Sequence, residues 1–134
     1  MLTKHAALIY TMVMMSAADQ DMTEAEFSRI GEIVTRLPVF RDFDTQLLPS
    51  TATACADRMN KDDDLDKLLQ EIGAALTPHL RETAYALAIE VAAADGHASD
   101  EELRLLEMLR HELGIDRLIA AGIERGARAR YALD

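Results

Sequence analysis

A pattern that occurs twice limits the fold of this chain more than any other feature. Residues 16–26 read SAADQDMTEAE and residues 92–102 read AAADGHASDEE, and the two segments align without a gap at an offset of 76 residues. Apolar residues outside the segments repeat at the same offset, because Val13 corresponds to Ile89 and Ile30 to Leu106. The sequence therefore predicts two helical hairpins of one design, packed around a pseudo-two-fold axis.

Apolar residues recur at spacings of three and four along the chain, which is the period of an amphipathic helix, and no segment alternates as a strand would. We expect one all-α domain, residues 1–134. Repeat one covers about 3–38, bridging helices about 44–77, repeat two about 79–114 and a C-terminal helix about 116–132. The seven expected helices cover about residues 3–18, 24–37, 45–59, 65–76, 79–95, 100–113 and 116–132.

The apolar stripes also predict which side chains form the core. Three methionines of the first helix and the single cysteine should be buried, because thioethers and a lone thiol pack as hydrophobes. The sixth and seventh helices should bury their leucines and isoleucines. The predicted core therefore includes Met12, Met14, Met15, Cys55, Leu103, Leu106, Leu109, Leu113, Leu118, Ile119 and Ile123.

The charge balance limits the classes of partner. The formal net charge is −10 and the pI is about 4.7, so nucleic-acid binding, which needs basic surface, is not expected. A single cysteine indicates a reducing compartment, and we expect a cytoplasmic protein. No apolar run approaches the roughly 20 residues of a membrane span, so direct membrane insertion is not expected. Ala17 and Ala18 match Ala93 and Ala94 inside the chain, which argues against reading the N-terminal apolar run as a cleaved signal peptide.

Helix capping explains part of each acidic segment. Thr23 with Glu26 and Ser99 with Glu102 have the spacing of a capping box, in which the hydroxyl accepts from the N3 amide and the carboxylate accepts from the N-cap amide. These glutamates therefore need no further function. The run of three aspartates at residues 62–64 is interpreted in the same way, as a device at the start of the fourth helix.

The first aspartate of each segment is not explained by capping. Asp19 and Asp95 lie at or just past the C-terminal end of a helix, where the helix dipole disfavours a negative charge. Two alternatives remain open: the amides of the next helix accept the carboxylate, or a cation binds. For a Ca²⁺ or Mg²⁺ site the candidate ligands are Asp19, Asp21, Glu26, Asp95 and Glu102. The positions required of an EF-hand are not met, and too few soft ligands are present for zinc.

Other charged residues carry weaker hypotheses. Glu90 is a lone acid in an apolar stretch; it is either a site residue or a residue that faces solvent, and we expect the latter. Arg125, Arg128 and Arg130 form a basic strip that is either solvated surface or a contact with an acidic partner. No nucleophile elbow, glycine-rich phosphate loop or Cys–His arrangement occurs, so we do not expect an enzyme.

The two acidic segments resemble those of the TerB-like tellurite-resistance family, and so does the helix from Leu103 to Leu113 with the Gly114-Ile115-Asp116 that follows it. The resemblance covers essentially the whole chain. It implies a compact seven-helix domain with an internal pseudo-two-fold. It also implies a non-enzymatic module of tellurite resistance or stress response.

By the same resemblance, divalent cations would bind through Asp19, Glu26, Asp95 and Glu102. The protein partners would be those of a stress complex at the inner face of the bacterial membrane, so the module would be cytoplasmic or peripheral there. Gln20 departs from the family pattern, which has the glycine seen at Gly96. The alternative function is a protein–protein adaptor whose acidic loops are only helix caps.

Overall fold

Helices account for all of the regular structure in the computed structural model, which describes residues 1–19, 21–61, 65–94, 96 and 98–134. No strand occurs in these ranges, and the all-α prediction is confirmed. The helices are α1 (Lys4–Ser16), α2 (Glu24–Arg36), α3 (Leu48–Asn60), α4 (Leu65–Ala74), α5 (Pro78–Ala93), α6 (Asp100–Leu113) and α7 (Arg117–Tyr131), and two 3-10 turns lie at Pro38–Phe40 and Thr45–Leu47.

Local sequence signals set most of the helix ends. Pro78 is the first residue of α5, where a proline loses no hydrogen bond, and Thr77 caps the helix by accepting from the Leu80 amide. Gly114 ends α6 in the left-handed conformation with φ 65°. Asp116 then caps α7 by accepting from two amides of its first turn. The predicted cap at residues 62–64 lies outside the described residues.

The two helices that begin the repeated hairpins form the centre of the core. α1 packs along α5 and also contacts α2, α3, α4 and α6. Every residue from 7 to 16 is buried as a result. The prediction of a methionine-rich core is confirmed, since Met12, Met14 and Met15 are all buried. Cys55 is also buried, and its thiol donates to the Tyr10 carbonyl at 3.7 Å.

Polar contacts fix the bridging elements on this centre. The guanidinium of Arg58 on α3 forms a bidentate pair with Glu71 on α4, with N···O distances of 3.1 and 2.7 Å. The ring of His5 lies against Phe40 and Phe43, with centroid distances of 5.6 and 5.2 Å. These contacts hold α4 to α3, and the 3-10 connector to the start of α1.

Three residues of the predicted core are instead exposed. Leu103 on α6 is 53% exposed, and Leu118 and Ile119 on α7 are 81% and 40% exposed. The reason is position in the bundle: α7 packs mainly on α5, and α6 mainly on α4 and α5, so only part of each apolar stripe is covered. An apolar stripe in the sequence indicates which face of a helix points to the core, but it does not indicate how much of that face a neighbouring helix covers.

Candidate functional site

The loop between α1 and α2, residues 17–23, is organised by a capping box. The Thr23 hydroxyl accepts from the Glu26 amide at 3.1 Å, and the Glu26 Oε1 accepts from the Thr23 amide at 2.8 Å. The predicted capping box is therefore confirmed. One oxygen of the Glu26 carboxylate is engaged in holding the start of α2.

The aspartates of the same loop face solvent. Asp19 and Asp21 are both exposed. In the part of the chain that the structure describes, neither carboxylate accepts a hydrogen bond from the first turn of α2, whose cap is Thr23. The alternative in which the next helix neutralises Asp19 is therefore not seen in this loop.

The loop between α5 and α6, residues 94–99, repeats the capping box. The Ser99 hydroxyl accepts from the Glu102 amide at 3.1 Å, and Glu102 Oε1 accepts from the Ser99 amide at 2.9 Å. Glu102 is 9% exposed and therefore more buried than Glu26, which has intermediate exposure. Asp95 and His97 lie outside the described residues.

One buried polar atom next to the first loop is unsatisfied. Ser16, the last residue of α1, is 3% exposed, and its hydroxyl has no hydrogen-bond partner among the described residues. An orphaned buried hydroxyl is uncommon and marks a place that a water or an ion would satisfy. Ser16 lies three residues before Asp19 in the sequence.

A preassembled metal centre is not found within the described ranges. No three side chains of His, Cys, Asp or Glu come together there closely enough to hold a metal ion. This finding does not test the ligands predicted in the second loop, because Asp95 lies outside those ranges. The cation site of Asp19, Asp21, Glu26, Asp95 and Glu102 stays a prediction.

A concave surface, here called the large groove, lies between α6 and α7 with α5 as its floor. Its volume is about 520 Å³, and it reaches the second acidic loop at Gly96 and Ala98. The floor is apolar and includes Ile89 and Ala92, while Leu103 stands on the rim. Charged side chains of both signs border it: Glu107 and Arg110 on α6, and Glu124 and Arg128 on α7.

A tyrosine–glutamate pair closes one side of the large groove. The Tyr85 hydroxyl donates to Glu124 Oε2 at 2.8 Å and so joins α5 to α7. Burial, and then the hydrogen bond and negative charge of Glu124, raise the pKa of the Tyr85 phenol. The phenol therefore stays a neutral donor at physiological pH.

A second concave surface, here called the arginine groove, lies between α2, α5 and α7 and has a volume of about 450 Å³. Glu90 lines this groove and is half-buried, so it does not simply face solvent as expected. Its carboxylate accepts from the Tyr131 hydroxyl at 2.6 Å and pairs with Arg130. The lone acid in the apolar stretch of α5 is thus an anchor for the end of α7.

The three arginines of the predicted basic strip do not line the same groove, because side chains rotate around the axis of α7. Arg128 borders the large groove and Arg130 borders the arginine groove, while Arg125 is exposed and lines neither. A helix turns about 100° per residue, so three arginines at these spacings do not share one face.

The two tyrosines that anchor α7, Tyr85 and Tyr131, were not predicted from the sequence. The sequence signal that could have indicated them is a tyrosine in an apolar helical stretch, because a buried phenol usually has a hydrogen-bond partner.

Comparison with known protein families gives a match over most of the chain. The model of the family described as Tellurite resistance protein TerB matches residues 5–122. The chain belongs to the TerB family. No curated protein and no solved structure matches it.

Membership of the TerB family suggests a module associated with tellurite resistance. TerB domains are generally non-enzymatic. The family match ends within α7, before Glu124, Arg128 and Tyr131, so these walls of the two grooves lie beyond the matched residues. No helix in the described ranges combines the length and the apolar character that a membrane crossing requires.

Proposed function

We propose that this chain is a non-enzymatic docking module of tellurite resistance or a related stress response, and that it binds an amphipathic helix of a partner protein in the large groove. The observation that carries the proposal is the groove itself. It offers an apolar floor on α5 between two helices, and recognition of a helix in such a groove is a recurrent mode of protein binding. The module would work in the cytoplasm, on a complex at the inner face of the membrane.

The borders of the groove support an amphipathic occupant. Each border carries one acid and one base, Glu107 with Arg110 and Glu124 with Arg128. The exposed leucine on the rim, Leu103, would be covered by the apolar face of the bound helix, and exposed apolar surface of this kind marks interaction sites. The helix should therefore carry charged residues of both signs beside its apolar stripe.

Complementation in the organism of origin tests this proposal. A strain lacking the gene should lose tolerance to tellurite or to another stress, and the wild-type chain should restore it. Leu103→Glu should fail to restore tolerance while keeping the wild-type circular dichroism and melting temperature, because a half-exposed position tolerates the change. Leu118→Glu is the matched control, since Leu118 is more exposed and lies outside both grooves. Equal rescue by Leu103→Glu and wild type would refute the role of the groove.

As a second candidate, we propose that the acidic loops bind Ca²⁺ or Mg²⁺ weakly. The orphaned hydroxyl of Ser16 beside the first loop favours this, together with the exposed carboxylates of Asp19 and Asp21. Ca²⁺ takes roughly six to eight oxygens, so a site with few carboxylates keeps several waters and a low affinity. Asp95 and Glu102 would serve the second loop in the same way.

Calorimetric titration with each cation separates this role from capping. A glutamine still completes a capping box, so Glu26→Gln and Glu102→Gln should keep the box and most of the cation response. Asp19→Asn and Asp95→Asn should lose the cation response, whereas Asp57→Asn, an exposed change on α3, should not. Absence of heat and of thermal stabilisation at millimolar cation in the wild type would refute cation binding and leave the docking proposal intact.

A further inference from the structure

The arginine groove combines an apolar floor with a concentration of cationic side chains. The floor consists of Ile33 of α2, Leu37 directly after that helix, and Leu87 of α5. Arg29, Arg36 and Arg130 stand around it. Three guanidinium groups in one groove are notable in a chain whose formal net charge is −10.

The two acids of the groove are already engaged. Glu90 is bound by Arg130 and by the Tyr131 hydroxyl. Glu32 pairs with Arg36 one turn away on α2 at 3.4 Å, and both of these side chains are well exposed. An exposed pair of this kind is weak and gives way easily to another anion.

Of the three arginines of the arginine groove, Arg29 is the one for which no counter-ion is found among the described residues. It is half-buried, and no ion pair to it occurs in the part of the chain that the structure describes. It lies near Tyr131: the hydrogen bond to Glu90 and burial raise the pKa of that phenol, and the charge of Arg29 opposes them. A half-buried guanidinium that lacks a partner is a ready receptor for a carboxylate, which it can bind through two parallel hydrogen bonds.

We propose that the arginine groove is a binding site for a small monocarboxylate with an apolar tail, whose carboxylate pairs with Arg29 and whose tail lies on Ile33, Leu37 and Leu87. The volume of about 450 Å³ is within the range of small-molecule sites. With one unpaired cation, the groove matches a single negative charge better than an acidic peptide stretch. This site is separate from the large groove and does not depend on the docking function proposed there.

Methyl NMR titration of the full chain with sodium octanoate tests the proposal. Octanoate should shift the methyl signals of Ile33, Leu37 and Leu87 saturably, with a Kd of about 1 mM given the small number of ligand atoms. Acetate, which lacks the tail, and 1-octanol, which lacks the charge, should each bind at least about tenfold more weakly, because acetate loses the apolar contact and octanol loses the charge-assisted pair.

Variants assign the binding to Arg29. Arg29→Gln should weaken octanoate binding at least about tenfold, and Arg29→Lys should give a smaller loss, because a lysine keeps the charge but not the two-pronged geometry. Arg125→Gln is the matched control on α7 and should bind octanoate as the wild type does. The proposal is overturned by equal affinity of octanol and octanoate, by unchanged binding in Arg29→Gln, or by absence of saturable shifts. A capped peptide acetyl-Leu-Glu-Leu-Leu-amide that binds the same methyls tenfold more tightly would overturn it in favour of a protein segment.

Discussion

The hydrogen bond between Tyr85 and Glu124 should contribute measurably to the free energy of unfolding. Tyr85 is 3% exposed and its hydroxyl donates to Glu124 at 2.8 Å, across the contact between α5 and α7. Tyr85→Phe removes the hydroxyl and leaves the ring packing unchanged. The variant therefore isolates one contact that fixes the wall of the large groove.

The magnitude follows from the acceptor and its surroundings. A hydrogen bond to a charged group contributes about 1.5–3 kcal/mol. Glu124 is half-buried and borders an open groove, so water replaces part of the lost bond and the lower end applies. We expect Tyr85→Phe to lower the free energy of unfolding by about 1–1.5 kcal/mol, which for a domain of this size lowers Tm by roughly 4–6 °C.

Urea denaturation of four proteins would measure this effect. The double-mutant cycle of Tyr85→Phe with Glu124→Gln gives the coupling energy of the pair directly. Tyr10→Phe is the control: Tyr10 is also buried, at 6% exposed, but no hydrogen bond from its hydroxyl occurs within the described residues. If Tyr85→Phe and Tyr10→Phe have the same stability within about 0.3 kcal/mol, the pair does not anchor α7 and the reasoning fails.

Three further predictions concern stability and reactivity elsewhere in the fold. Gly114→Ala should destabilise the protein by about 1 kcal/mol, because residue 114 has φ 65°. Gly122→Ala, inside α7 with open space at the added carbon, should stabilise it by about 0.5–1 kcal/mol. Urea denaturation should therefore show changes of opposite sign in the free energy of unfolding of the two variants, and changes of the same sign would contradict the prediction. Burial raises the pKa of the Cys55 thiol to about 12, so a disulfide reagent at pH 8 should label it only after unfolding, and rapid labelling of the native protein would contradict this. The hydrogen bond from Arg58 lowers the pKa of Glu71 below its ordinary 4.5, so the stabilisation is present at neutral pH and is lost as pH falls through that lowered value. Glu71→Gln should accordingly be less stable than the wild type at pH 7, and the difference should shrink as the pH falls below 4.5; a difference that does not change with pH would exclude the mechanism.

Most of the helix ends could be predicted from local chemistry. Pro78, Gly114 and the two capping boxes are signals that need only neighbouring residues, and each appears in the structure as the sequence indicates. Met12 and Cys55 were also predicted correctly as core, because their stretches are apolar enough to be buried whichever helix packs on them.

The parts that failed depend on contacts between distant segments. Glu90 looks isolated in its own helix, and its partners stand about forty residues later at Arg130 and Tyr131. Leu103 belongs to an apolar stripe, and only the gap between α6 and α7 explains its exposure. Neither grooves nor cross-helix pairs leave a periodic signal, so both grooves were absent from the sequence-based prediction.

The capping boxes limit what the acidic loops can do. In each loop one oxygen of the glutamate is already held by the N-cap amide, from Thr23 to Glu26 and from Ser99 to Glu102. A cation at such a loop would have to rely on the aspartate, on backbone carbonyls and on water, since the engaged oxygen cannot bind it without opening the cap. Its affinity would then be low, and the charge of Asp19 would matter more than that of Glu26. If the proposed cation binds, the repeated acidic segment has two separable roles in adjacent residues: the hydroxyl and the glutamate begin a helix, and the aspartate supplies the charge that the cation needs.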